Sequence, residues 1–216
     1  MARSRNSARR PTAPLSQPLA GAVLLAAALL TASPPDAATW PQSATEDTYP
    51  ADITPPPGTQ YHCALTPLPR ALPGIPEADR AYVNRTYARV LRATQAKLVE
   101  LKALEDGRDI EAALARYQEA TGRLVERLRA EPAPAGLAAF QEDVLAALAL
   151  QQAFFVKAAP LRQTGRGMAE VFQLAEGRQA SRRLISAWDR MQARYPSWSP
   201  ETRDSIYHHL CALDLF

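Results

Sequence analysis

Residues 110–128, IEAALARYQEATGRLVERL, place Ile110, Leu114, Tyr117, Thr121, Leu124 and Leu128 at alternating steps of four and three. That period lays one stripe along an α-helix and is the seam of a helix bundle, not the two-residue alternation of a strand. Glu119 and Arg123 stand one turn apart on the outer face and predict an ion pair.

Upstream the same logic holds. Pro76 can occupy a first helical turn, with Glu77 and Asp79 near the positive end of the dipole. Val83, Tyr87, Val90, Thr94, Leu98, Leu101 and Leu104 then recur at helical spacing, and Asp106-Gly107 stops the run.

Downstream, Pro132 and Pro134 make a turn into a helix over about 135–159 that is apolar over a wide arc: Leu137, Phe140, Val144, Leu145, Leu148, Phe154 and Phe155. A helix this apolar belongs at the centre of its domain. Pro160 and Gly165-Arg166-Gly167 are expected to break it. A fourth helix is expected over about Met168 to Tyr195, with Phe172, Leu184, Trp188 and Met191 inward and a kink at Gly177. Ser199-Pro200-Glu201 starts a last short helix whose Ile206, Leu210 and Leu213 share a face. The expected fold is all-α: an antiparallel bundle of about four long helices plus a short C-terminal helix, preceded by a Pro-rich extended arm.

The first 75 residues read differently. Arg3, Arg5, Arg9 and Arg10 form a basic leader without acidic residues, and the short apolar run LAGAVLLAAALL over 19–30 is followed by Thr31, Ala32 and Ser33. Residues 1–32 therefore read as a secretory signal peptide, cut near Ala32 or Ala38, with an uncleaved inner-membrane signal anchor as the alternative. Residues 33–75 carry Pro34, Pro35, Pro41, Pro50, Pro55, Pro56, Pro57, Pro67, Pro69 and Pro73. That density predicts a partly disordered arm, with Leu65, Leu68, Leu72 and Ile75 offering contacts to the domain at 76–216.

Removing the signal removes four of the 25 basic residues and none of the 22 acidic ones, so the remainder is close to neutral. The net charge of +3 therefore gives no case for nucleic-acid binding, and the cleaved chain has no stable membrane span. Arginine greatly outnumbers lysine, which occurs only at Lys97, Lys102 and Lys157, and alanine is abundant. That bias fits a GC-rich bacterial genome, which makes the periplasm the expected compartment, or secretion.

Both cysteines sit beside histidines: Tyr61-His62-Cys63 and His208-His209-Leu210-Cys211. In an oxidising compartment they predict one disulfide tying the arm to the last helix. The rival reading is a zinc or copper site from His62, His208 and His209, with or without the thiols. No CxxC, CxxCH or HExxH spacing supports it, so no cofactor is expected.

A second candidate is an anion site formed by Arg178, Arg182 and Arg183, with Arg178 and Arg182 one turn apart as a clamp for carboxylate or phosphate. Gly165-Arg166-Gly167 before a helix start is a related feature. Gln151-Gln152 interrupts the most apolar helix, and Trp188, Tyr195, Trp198 and Tyr207 gather near the C-terminus as core anchors or an aromatic wall. Nothing isolates an acid/base pair or a nucleophile. The expectation is a non-enzymatic binding or assembly factor for another envelope protein. The alternative is a small-anion or Zn/Cu-binding bundle, possibly an enzyme.

Overall fold

The structure is a computed structural model, and it describes residues 53, 55–59, 63 and 68–215. The stretch read as a signal peptide, most of the segment expected to be an arm, and His62 lie outside the described residues. What is described is all-helical, with no strand among the described residues. The elements are α1 (Glu77–Asp106), α2 (Ile110–Ala130), a 3-10 turn at Ala135–Leu137, α3 (Ala138–Gln163), α4 (Met168–Val171), α5 (Ala175–Arg194) and α6 (Pro200–Leu213).

Local chemistry sets most of these boundaries. Gly107 takes the left-handed conformation at φ 67°, so its N–H reaches Leu104 O and the Arg108 N–H reaches Ala103 O, closing α1. Ser199 caps α6 by accepting the Thr202 N–H at 3.1 Å, with Pro200 in the first turn. The expected Glu119–Arg123 pair forms on α2 at 2.6 Å.

Two expected breaks fall elsewhere. Pro160 does not end α3; the helix runs on to Gln163. The missing proline N–H takes one intrahelical donor from the Val156 carbonyl, and the Thr164 hydroxyl donates to the carbonyls of Pro160 and Leu161 to finish the last turn. The expected kink at Gly177 lies instead at residues 172–174, between α4 and α5. Gly177 is buried within α5, where the Ser181 hydroxyl donates to its carbonyl.

The helices pack α3 against α5, α1 against α2, α2 against α3 and α1 against α6. One apolar cluster joins Tyr87, Val90, Phe140, Leu148, Leu184, Met191 and Ile206, and the other joins Leu104, Ile110, Tyr117, Phe154, Phe155, Val171 and Leu215. Of the arm's expected contacts, Leu68, Leu72 and Ile75 are buried in the first cluster, and Leu65 lies outside the described residues. The stretch Ala135–Gln163 is long and apolar enough to cross a membrane. Its buried face, from Phe140 to Ala159, is a core face packed against α2 and α5. The most thoroughly enclosed helix is the more polar α1, buried on several sides between Tyr82 and Leu104.

Gly74 shows why the chain before α1 needs glycine. It has φ 89°, and an added Cβ would stand 2.2 Å from the Trp198 backbone. The Ser199 N–H donates to Pro73 O at 3.2 Å, so the two segments touch directly there.

Candidate functional site

α5 carries two distinct surfaces on its two shoulders. Toward α3 lies a shallow groove of about 440 Å³, lined by Leu150, Gln179, Arg182, Arg183 and Ser186. Two of these lining residues, Arg183 and Ser186, are held by Asp143 of α3, which is 2% exposed. Asp143 accepts from Arg190 Nε at 2.5 Å, from the Ser186 hydroxyl at 2.7 Å and from Arg183 Nη1 at 3.1 Å. Burial pushes this carboxyl up, but hydrogen bonds from Arg190, Ser186 and Arg183 outweigh burial and hold it below the usual range. Asp143 thus stays ionised and orients two arginines.

The expected Arg178/Arg182 clamp does not form. Arg178 Nη1 donates to Gln173 O at 3.0 Å, back over the start of its own helix. Arg182 and Arg183 do line a common surface, with Gln179 in place of Arg178. At the Gly165-Arg166-Gly167 segment, Arg166 pairs with Glu170 at 3.2 Å and the following α4 is a single turn.

Toward α6 the aromatic residues meet. Trp188 stacks on Trp198 at 5.4 Å between ring centroids, and Tyr207 meets Trp188 edge-on at 5.4 Å. Tyr195 is buried behind them, its hydroxyl donating to Asp79 at 2.7 Å. The front of the cluster reaches solvent: Tyr207 is 48% exposed, and Ile185, one turn from Trp188 on α5, is 57% exposed. These are two of the three large hydrophobic residues exposed among the described residues.

At the C-terminal end, Cys63 and Cys211 stand at disulfide distance, with Sγ–Sγ 2.06 Å and Cα–Cα 6.0 Å. The two described histidines, His208 and His209, do not converge. His208 is exposed against the Tyr207 ring, whereas His209 is buried against Tyr87 and donates from Nδ1 to Ser205 O at 2.6 Å. Among the described residues no group of three metal-ligating side chains occurs, and His62 lies outside them.

Three consecutive carbonyls close the end of α6 onto buried side chains. Lys97 Nζ donates to Ala212 O at 2.7 Å and also to Asp214 O, and the Gln151 amide donates to Leu213 O at 2.6 Å. Gln151 is therefore the buried amide of the Gln151-Gln152 pair, and its partner is the backbone. Lys97 is fully buried, which pulls its ammonium down to about 7; the nearby Asp214 carboxylate opposes this.

Glu100, one turn further along α1, is also fully buried, and neither carboxylate oxygen has a hydrogen-bond partner among the described residues. Burial pushes it up to about 8 against the pull of Arg116. Tyr117 faces it from α2, with its hydroxyl beside Thr121, and burial pushes the Tyr117 phenol up.

Lys97, Glu100 and Asp143 are the groups that sequence reasoning missed. The signal was present. Val90, Ala93, Lys97, Glu100 and Leu104 form a second helical stripe on α1, and Asp143 adjoins Val144 on the stripe Phe140, Ala147, Gln151. A charge on a stripe of this kind is either buried or marks the edge of the apolar arc, and position alone does not separate the two. Compared with protein-family models, curated proteins and solved structures, the chain matches none.

Proposed function

We propose that this chain is an exported periplasmic helical-bundle protein that acts as a non-enzymatic binding or assembly factor for another envelope component. In this reading the six helices form one bundle, the Pro-rich segment is its arm, and the signal is removed on export. Retention of the signal would tether the same domain at the inner membrane.

The observation that carries the reading is the aromatic patch on the α5–α6 shoulder. Trp and Tyr supply most of the energy at protein interfaces because they bury a large area with few rotamers to freeze. Here Trp188, Trp198 and Tyr207 hold one another in place, while Tyr207 and Ile185 remain exposed. An exposed apolar patch costs solubility, and a binding partner is the usual reason to keep one. The Cys63–Cys211 pair at bonding distance favours an oxidising compartment.

The test is Tyr207→p-benzoylphenylalanine in cells of the native host, photolysed and compared with the same analogue at Arg123 on the exposed face of α2. A discrete adduct at position 207, absent from 123 and lost in Trp188→Ala, supports the reading. Absence of any 207-specific adduct overturns it.

A further inference from the structure

The arginine groove on the opposite shoulder of α5 is separate from the aromatic patch, and its chemistry differs. We propose that it is a binding site for a small organic anion carrying a carboxylate or phosphate group, with its apolar part against Leu150.

Four features support this. First, the groove's size lies within the range of small-ligand sites. Second, its lining is cationic: Arg182 and Arg183 line it with no acidic residue among the lining side chains, and Arg183 shares the buried carboxylate of Asp143 with Arg190. Third, donors remain available. Arg182 makes no hydrogen bond or ion pair among the described residues, and the Gln179 amide is likewise unengaged. Arg183 gives only Nη1 to Asp143, which leaves its other N–H groups to turn outward.

Fourth, one wall of the site, at Arg183 and Ser186, is oriented before any ligand arrives. Asp143 is held ionised and accepts from Arg183, Arg190 and Ser186 at once, so the groove wall is fixed from beneath by a buried group. Orientation of this kind reduces the entropy lost on binding. Two neighbouring guanidinium groups match the two oxygens of a carboxylate or the three of a phosphate monoester. Ser186 spends its proton on Asp143, so its oxygen only accepts, which places an anion at the Arg182 end of the groove.

The experiment titrates the full chain, at constant ionic strength, with inorganic phosphate in one arm and succinate in the other. The readout is calorimetry together with the NMR resonances of the Gln179 side-chain amide and the Ser186 backbone amide. Saturable binding of either anion that shifts these resonances is expected. Arg182→Ala should weaken it about tenfold or more, as loss of a charge-assisted bidentate contact does. Arg178→Ala should leave it unchanged, because Arg178 is turned to Gln173 O. Both arginines are exposed, and unaltered circular dichroism and melting temperature would confirm that the variants fold. Preference for phosphate would assign a phosphoryl ligand, and preference for succinate a carboxylate. No saturable shift at Gln179 and Ser186 with either anion, or equal affinity in Arg182→Ala, overturns the proposal.

Discussion

Glu100 and Lys97 sit one turn apart on the enclosed face of α1, and burial drives them in opposite directions. Glu100 binds its proton more tightly in the folded chain, near 8, than at the ordinary carboxyl value of 4.5 that returns on unfolding. Its contribution is therefore full below about pH 4.5 and is lost as pH rises through about 8. Lys97 holds its proton less tightly, near 7, than an ordinary lysine at 10.5. Stability tied to Lys97 is thus full above about pH 10.5 and is lost as pH falls through about 7. Together they predict a stability minimum at about neutral to mildly alkaline pH. Urea unfolding from acid to alkaline pH, with the disulfide intact, should show that minimum. Glu100→Gln should remove the decline on its acid side, and Lys97→Met the rise on its alkaline side. A monotonic profile through neutrality in the parent protein would contradict both assignments. The pair was only half legible beforehand: the spacing that carries both residues inward is visible along 90–104, but the covering that decides their protonation comes from α2 and α6.

At the scale of elements, the last helix is held by chemistry from far along the chain. The Cys63–Cys211 link would close a loop of 148 residues, which in the chain-entropy model removes about 5 kcal/mol of denatured-state freedom. Cys211→Ser should therefore lower stability by about 2–5 kcal/mol, read as a lower urea midpoint, with dithiothreitol having no further effect on the variant. Ser199→Ala removes the cap on Thr202 and should cost about 1 kcal/mol, with faster amide exchange confined to the first turn of α6. Gly74→Ala meets both a positive φ and the Trp198 backbone. It should destabilise by more than about 1 kcal/mol, measured as a lower melting temperature, and the disulfide should still form. Helix starts and stops that rest on local signals, such as Gly107 and Ser199, were legible in the chain. The break at 172–174 was not, because Gly177 has the poorer helix propensity yet is buried where a side chain would have to be accommodated, so packing keeps it helical.

Across the whole molecule, the two shoulders of α5 carry different surfaces, an aromatic patch and an arginine groove. If the chain is exported as proposed, its intact mass from periplasm should begin near residue 33 or 39 and be two hydrogens lighter than the reduced form. A full-length mass with free thiols would contradict both export with cleavage and the staple. By itself the sequence determined that the region 77–213 is built of helices, and it determined the end of α1 and the start of α6, because period, caps and glycines act over a few residues. It also brought the tryptophans and tyrosines near the C-terminus under suspicion. Only the tertiary structure decided which charges are enclosed, that Arg182 has no partner among the described residues while Arg178 is turned to Gln173 O, and that Asp143 holds Arg183 and Ser186 of the groove. Those outcomes depend on what stands opposite each side chain, and the facing residue lies tens of positions away, on a helix whose placement no local pattern specifies.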